Sequence, residues 1–201
     1  METIRLFLAI DIPSHIRETL TEVQNRFKSL ELNIAWGKPA NIHLTLKFLG
    51  NTDPKQLPEI RNRMKILTPA KPSFAVSLKG MGVFPKTDKP RILWVGIQEF
   101  ENNLGPLYTI ISEEMAKIGF PAEDRKFNPH LTIGRIKSSK GKSRLTYAIR
   151  ENEDLRSEPF EVSSVNLYKS QLTPKGAVYT VLEEFKLGRS PEPQPSNNFF
   201  W

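Results

Sequence analysis

The chain has 201 residues, with 29 Lys and Arg against 22 Asp and Glu for a formal net charge of +7, three His and no Cys. The lack of cysteine excludes a disulfide scaffold, a thiol nucleophile and cysteine-based zinc or iron–sulfur sites, and three histidines leave little for a histidine-rich metal centre. The length fits one domain or two small joined lobes of ordinary globular composition, and the basic balance favours an anionic partner such as nucleic acid or a phosphorylated metabolite.

The apolar run from Leu6 to Ile10 reads as a buried strand. Arg5 interrupts the run and Asp11 ends it, so it is too short for a signal sequence or a membrane span, and a cytoplasmic location is expected. Ile16, Leu20, Val23, Phe27 and Leu30 then recur at helical spacing, with Ser14 expected as the cap. Ile42 to Leu46 alternates as a strand, and Leu57, Ile60, Met64 and Leu67 mark a second helix. A strand from Phe74 to Leu78 leads through a turn at Lys86 to Pro90 into another at Leu93 to Ile97. Leu104, Leu107, Ile111, Met115 and Ile118 make a third helix, stopped by Gly119. The strand Pro129 to Ile133, a basic loop from Lys137 to Arg144 and a weaker helix through Leu145, Ile149 and Leu155 come next. Phe160 to Ser164 opens a last hairpin, which turns at Leu172 to Gly176 and closes with a strand at about 177–185. The tail 188–201, with Pro191, Pro193, Pro195 and the terminal Phe199-Phe200-Trp201, is expected to be irregular, its aromatic end packed on the body or left as a contact.

These elements repeat. Leu6 matches Leu93 and His43 matches His130 at an offset of 87 residues, and Phe74 matches Phe160 at 86. The prediction is therefore a single α+β domain over 1–187 with two pseudo-symmetric lobes, antiparallel sheets and flanking helices around a central cleft, built from repeats of about 4–84 and 91–170.

Two of the three histidines stand in the same setting, His43-Leu44-Thr45-Leu46 and His130-Leu131-Thr132-Ile133. Strand alternation points each His and Thr to one face and the apolar pair to the other. Related by a two-fold axis, the motifs would set two imidazoles and two hydroxyls around one cleft. At neutral pH one imidazole can act as base and the other as acid, which suits phosphodiester cleavage without a metal. The other positions of the repeat have drifted, as Lys47 against Gly134 and Phe48 against Arg135 show. By parity Lys47 shares the face of His43 and is a candidate cation. Phe48 is a candidate stacking surface for a base or ribose, with core packing as the competing reading. The loop cations Lys137, Lys140, Lys142 and Arg144 could attract an RNA backbone. His15, without a spaced threonine, reads as a surface residue.

The two motifs, with the flanking text Asn41 to Gly50 and Phe127 to Arg135, the opening Arg5 to Ile10 and the hairpin Leu167 to Phe185, resemble the 2H phosphoesterase superfamily. Within it the chain is similar to the RNA 2′,3′-cyclic phosphodiesterases, historically called 2′-5′ RNA ligases, over about residues 3 to 187. The resemblance implies metal-independent opening of a terminal 2′,3′-cyclic phosphate to a 2′-phosphate, with no cofactor, on RNA ends such as tRNA fragments, by a monomer. It implies His43 as proton donor, His130 as proton acceptor, Thr45 and Thr132 as phosphate ligands, and Arg135 as a further phosphate ligand. Strict alternation puts Arg135 on the wrong face, so its role requires a bulge, which Gly134 would permit. Competing readings are a phosphodiesterase of small cyclic nucleotides, reverse 2′-5′ ligation, and an RNA-binding module of the same fold without turnover.

Overall fold

The computed structural model describes residues 2–124, 126–138, 140–174 and 176–189. The terminal Phe199-Phe200-Trp201 lies outside the described residues. The strands are β1 (Ile4–Ile10), β2 (Ile34–Trp36), β3 (Leu44–Thr52), β4 (Phe74–Phe84), β5 (Ile92–Glu99), β6 (His130–Ile136), β7 (Phe160–Val162), β8 (Ser164–Thr173) and β9 (Gly176–Lys186). The helices are α1 (Ser14–Lys28), α2 (Leu57–Leu67), α3 (Leu104–Ala116) and α4 (Lys142–Arg150). The strands form one antiparallel sheet in the order β7-β4-β5-β6-β3-β1-β8-β9, with β2 added beside β6.

The core lies on one face of this sheet. Leu6, Leu8 and Ile10 of β1 meet Ile16, Leu20, Val23 and Phe27 of α1, and Leu93 and Val95 of β5 join Leu104, Leu107, Ile111 and Met115 of α3 in the same cluster. Burial of these apolar stripes fixes which face of each strand turns inward, because the side-chain period of a strand is two residues. α3 ends as the sequence implies, with Gly119 in the left-handed region at φ +93° and its N–H donating to the Ala116 carbonyl. No helix among the described residues is long and apolar enough to cross a membrane.

Several sequence expectations need correction. Pro13, not Ser14, occupies the cap of α1, and no side chain caps it, because Ser14 already has helical geometry. Lys142 and Arg144 are not loop residues: α4 starts at Lys142, after Gly141 turns the chain with φ +79°. Gly188 is hydrogen bonded to Lys71 and Ser73, so the body of the fold reaches one residue into the expected tail. The repeat offset also differs between elements. Leu8 pairs with Lys47 and Leu93 with Gly134; the β3 and β6 partners are 87 residues apart, the β1 and β5 partners 85. A slip of two residues keeps every side chain on its own face, so the apolar pattern alone does not register it.

The spatial lobes are not the sequence repeats. One side of the sheet is β3-β1-β8-β9 and the other β6-β5-β4-β7. β4, from the first repeat, pairs with β5 of the second, and β8, from the second, pairs with β1 of the first. Phe74 and Phe160, matched in sequence, lie on neighbouring strands, Phe74 opposite Val162 and Val76 opposite Phe160. The halves meet where Leu44 of β3 pairs with Leu131 of β6.

Candidate active site

Both motifs sit at this central junction. Leu44 and Leu131 point into the core and are fully buried, so the residues on either side of each turn to the opposite face. Antiparallel register sets His43 beside Thr132 and Thr45 beside His130 on that face. The ring Nδ1 of His43 lies 2.8 Å from the carbonyl oxygen of Asn41, and that of His130 lies 2.7 Å from the carbonyl oxygen of Asn128. A carbonyl only accepts, so Nδ1 carries the hydrogen in both rings and Nε2 is left to take or give a proton. The Asn41 side chain is itself tied down, its amide donating to the Ala177 carbonyl at 2.9 Å. Among the described residues the hydroxyls of Thr45 and Thr132 have no hydrogen-bond partner.

The two histidines differ in their walls. His43 stacks on Phe7 at 4.6 Å between ring centroids and on Tyr168 at 5.8 Å, with Tyr179 edge-on at 5.2 Å. Burial in this aromatic box pushes the His43 imidazole below its ordinary value, against the opposing pull of the Asn41 carbonyl and the Asp11 carboxylate. Asp11 is placed for this by register: Ile10 pairs with Leu44, so the next step sets Asp11 across from His43. His130 instead meets Phe84 edge-on at 4.9 Å and Trp94 at 6.3 Å. Its cross-strand partner is Gly96, where a Cβ would come within 2.4 Å of the Lys79 carbonyl oxygen, so no carboxylate can stand in the place Asp11 holds. Trp94 lies flat over Gly82, where an added Cβ would fall 2.2 Å from the indole.

Just beyond each motif a bulge resets which side chains face the cleft. In β6, Trp94 pairs with Thr132 and Leu93 with Gly134, leaving Ile133 as the extra residue. Arg135 therefore pairs with Ile92, on the face of Trp94 and Thr132, and the bulge brings Arg135 to the cleft face. The bulged residue is Ile133 rather than Gly134. The glycine serves a different end, since a Cβ there would come within 2.6 Å of Ile34 on β2. Sequence reading missed Gln24, the buried polar residue of α1 that holds the bulge. Its side-chain amide donates to the Gly37 carbonyl at 2.8 Å and to the Ile133 carbonyl at 2.9 Å. The signal was present as a lone Gln one residue after Val23 on an otherwise apolar helix face.

The same bulge occurs in β3, where Ala9 pairs with Thr45 and Leu8 with Lys47, leaving Leu46 as the extra residue. It overturns the parity argument for Lys47. Lys47 follows Leu8 to the core side, is 1% exposed, and donates through Nζ to the Pro121 carbonyl. Burial pushes its ammonium below the ordinary range, with Glu123 pulling the other way. Lys47 is therefore no part of the cleft face. Phe48 takes that place instead: it pairs with Phe7, is 56% exposed and stands 6.2 Å from the Phe7 ring. The structure thus brings His43, Thr45, Phe48, His130, Thr132 and Arg135 onto one face and removes Lys47. His15 is exposed on α1.

Two imidazoles with free Nε2 atoms, two unpaired hydroxyls and one guanidinium on a rigid sheet can hold a tetrahedral anion and move protons on both sides of it. Comparison with known proteins points to a phosphoesterase family. The family model described as LigT like Phosphoesterase matches the chain twice, over residues 10–94 and 95–179. The RNA 2′,3′-cyclic phosphodiesterase of Methanocaldococcus jannaschii is 39% identical over 181 residues, 90% of this chain and 99% of that protein. The protein of the same name from Aquifex aeolicus is 35% identical over 191 residues, 94% of this chain and 100% of the relative. Among solved structures, TT0787 of Thermus thermophilus superposes with a TM-score of 0.78 at 26% identity, covering 94% of this chain and 100% of that one. With its doubled family match, paired His-x-Thr strands and shared architecture, the chain belongs to the LigT-like phosphoesterases of the 2H superfamily.

Proposed function

We propose that the protein hydrolyses 2′,3′-cyclic phosphates at RNA 3′ ends to 2′-phosphates. The observation that carries this reading is the matched pair of histidines, each anchored through Nδ1 to the carbonyl two residues before it. The substrate class follows the name shared by the relatives from M. jannaschii and A. aeolicus. His130 takes a proton from water as the water oxygen attacks phosphorus. The bond from phosphorus to the 3′ oxygen breaks, and His43 gives its proton to that oxygen. Thr45, Thr132 and Arg135 hold the non-bridging oxygens as charge builds on them. Phe48 is placed to meet the terminal ribose or base. A 5′-hydroxyl in place of water would give a 2′,5′ linkage by the same proton transfers. One chain supplies both motifs, so a monomer suffices.

The acid role asks His43 to be protonated despite its burial. The anionic substrate adds to the pull of Asp11 and loads that proton in the complex. The alkaline limb of kcat should therefore lie at higher pH than that of kcat/KM. The direct test is turnover of a short oligoribonucleotide with a 2′,3′-cyclic end in the presence of EDTA. The expected product is the 2′-phosphate, with loss of at least about a hundredfold in kcat for His43→Ala and for His130→Ala. Loss of activity on chelation, or a kcat/KM profile flat from about pH 5 to 9, would refute the two-histidine mechanism.

A further inference from the structure

The same residue type stands two positions before each catalytic histidine, Asn41 before His43 and Asn128 before His130, and each gives its carbonyl to the ring Nδ1. Their side chains part company. Asn41 closes the 3-10 turn Pro39–Asn41, and its amide donates to the Ala177 carbonyl of β9 at 2.9 Å. Asn128 is exposed, and among the described residues its side chain has no hydrogen-bond partner. β8 pairs with β1 no further out than Ser170, opposite Arg5, so the outer hairpin, residues 171–173 and 176–178, runs on past its last partner on β1. Leu172 is 73% exposed and Val178 46%, so apolar burial holds this part weakly. Among the described residues the Asn41 amide makes the one side-chain hydrogen bond that reaches the outer hairpin from outside it. Ala177 is two residues from Tyr179 on β9, and Tyr179 stands edge-on to His43 at 5.2 Å and to Phe7 at 5.1 Å.

We propose that Asn41 is a positioning residue for the acid: its carbonyl aims the His43 ring, and its amide latches the β8–β9 hairpin so that Tyr179 stays over that ring. The inference rests on the activity proposed above. The groups that face His43 are Asp11, ion-paired with Arg17 of α1, Tyr168 of β8, Tyr179 of β9 and, across the junction, His130 of β6. Of these, Tyr179 is the one carried by the latched strand, whereas Tyr168 is fixed within the sheet by its pairing with Phe7. Opening the latch therefore lets water to the imidazole and strengthens its hold on the proton, since burial is what weakens it. The other motif needs no latch. The ring edge-on to His130 is Phe84 of β4, which pairs directly with Ile92 of β5, and the Asn128 amide is left without a task.

The test uses Asn41→Asp, which keeps the side-chain size and the backbone carbonyl but cannot donate to Ala177. Amide hydrogen exchange at Val178 and Tyr179 should quicken, and the His43 imidazole, followed by NMR, should titrate at higher pH than in the wild type. On a cyclic-ended oligoribonucleotide kcat should fall roughly three- to tenfold, the weight of one hydrogen bond, with KM little changed. The alkaline limb of kcat/KM should move to higher pH. Asn41→Ala should move every reading the same way; it separates loss of the latch from the added carboxylate charge, and it serves if Asn41→Asp does not fold. Asn41→Gln, which still carries the donor, should restore part of each change, and Asn128→Ala should leave the hairpin exchange as in the wild type. Unchanged exchange in the Asn41 variants, equal quickening by Asn128→Ala, or quicker exchange with the His43 titration and kcat both unmoved would overturn the latch. Exchange and titration need no substrate, so a wild type idle on the oligonucleotide would overturn the proposed activity while these two readings still decide the latch.

Discussion

The aromatic box buries His43, and two of its neighbours push its imidazole in opposite directions. Tyr179 shields one edge of the ring, whereas Asp11 draws a proton toward it. Tyr179→Ala should let water in and move the His43 pKa up toward 6.5, the ordinary value; Asp11→Asn should move it further down. Two-dimensional NMR titration of the imidazole resonances reads both. The same shift ties folding to pH. The folded protein binds this proton less readily than the unfolded chain, so stability is full above the unfolded value of 6.5 and is lost as pH falls through it. His43→Gln should lessen the drop in urea midpoint between about pH 7.5 and pH 5.5. The histidine and threonine pairs were readable from the sequence because alternation and duplication both mark them. The box was not, since Phe7, Tyr168 and Tyr179 come from three strands whose adjacency is a property of the whole sheet.

At the scale of elements, the bulges do what strand parity cannot. One extra residue at Leu46 and another at Ile133 exchange the faces of the residues that follow, which buries Lys47 and brings Phe48 and Arg135 to the cleft, and a second extra residue at Leu49 restores the original parity in β3. A composition-based reading finds the residues but not the inserted step, because a bulge leaves no fixed residue type behind it. Gln24 is the lever on this geometry, reaching from α1 to the carbonyl of the bulged Ile133. Gln24→Leu should leave the Gly37 carbonyl short of its donor, costing about 1–3 kcal/mol in chemical denaturation. Because the bulge aims Arg135, kcat/KM should fall as well, and addition of the Arg135→Ala change should cost little more. Full additivity of the two losses in a double-mutant cycle would show that Gln24 acts on stability alone.

At the scale of the molecule, the exchange of outer strands interlocks the halves. β4 and β8 each complete the side of the sheet begun by the other repeat, β2 of the first half pairs with β6 of the second, and α3 packs on β3. Separate expression of residues 2–88 and 89–189 should therefore give two unfolded or aggregating chains, whereas co-expression should restore soluble, active protein; a folded single half, seen by NMR dispersion, would contradict the interlock. The doubling and the α+β pattern could be read from the chain, but the exchange could not, since either pairing satisfies the same apolar periodicity. This exchange bears on how such a site could have arisen. A polypeptide with one repeat, one histidine and one threonine could complete neither its sheet nor its chemistry alone. Two copies swapping their last strands about a two-fold axis would complete both. Fusion of two such copies into one chain would free each motif to change by itself, in keeping with an Asp11 beside one histidine and a Gly96 beside the other.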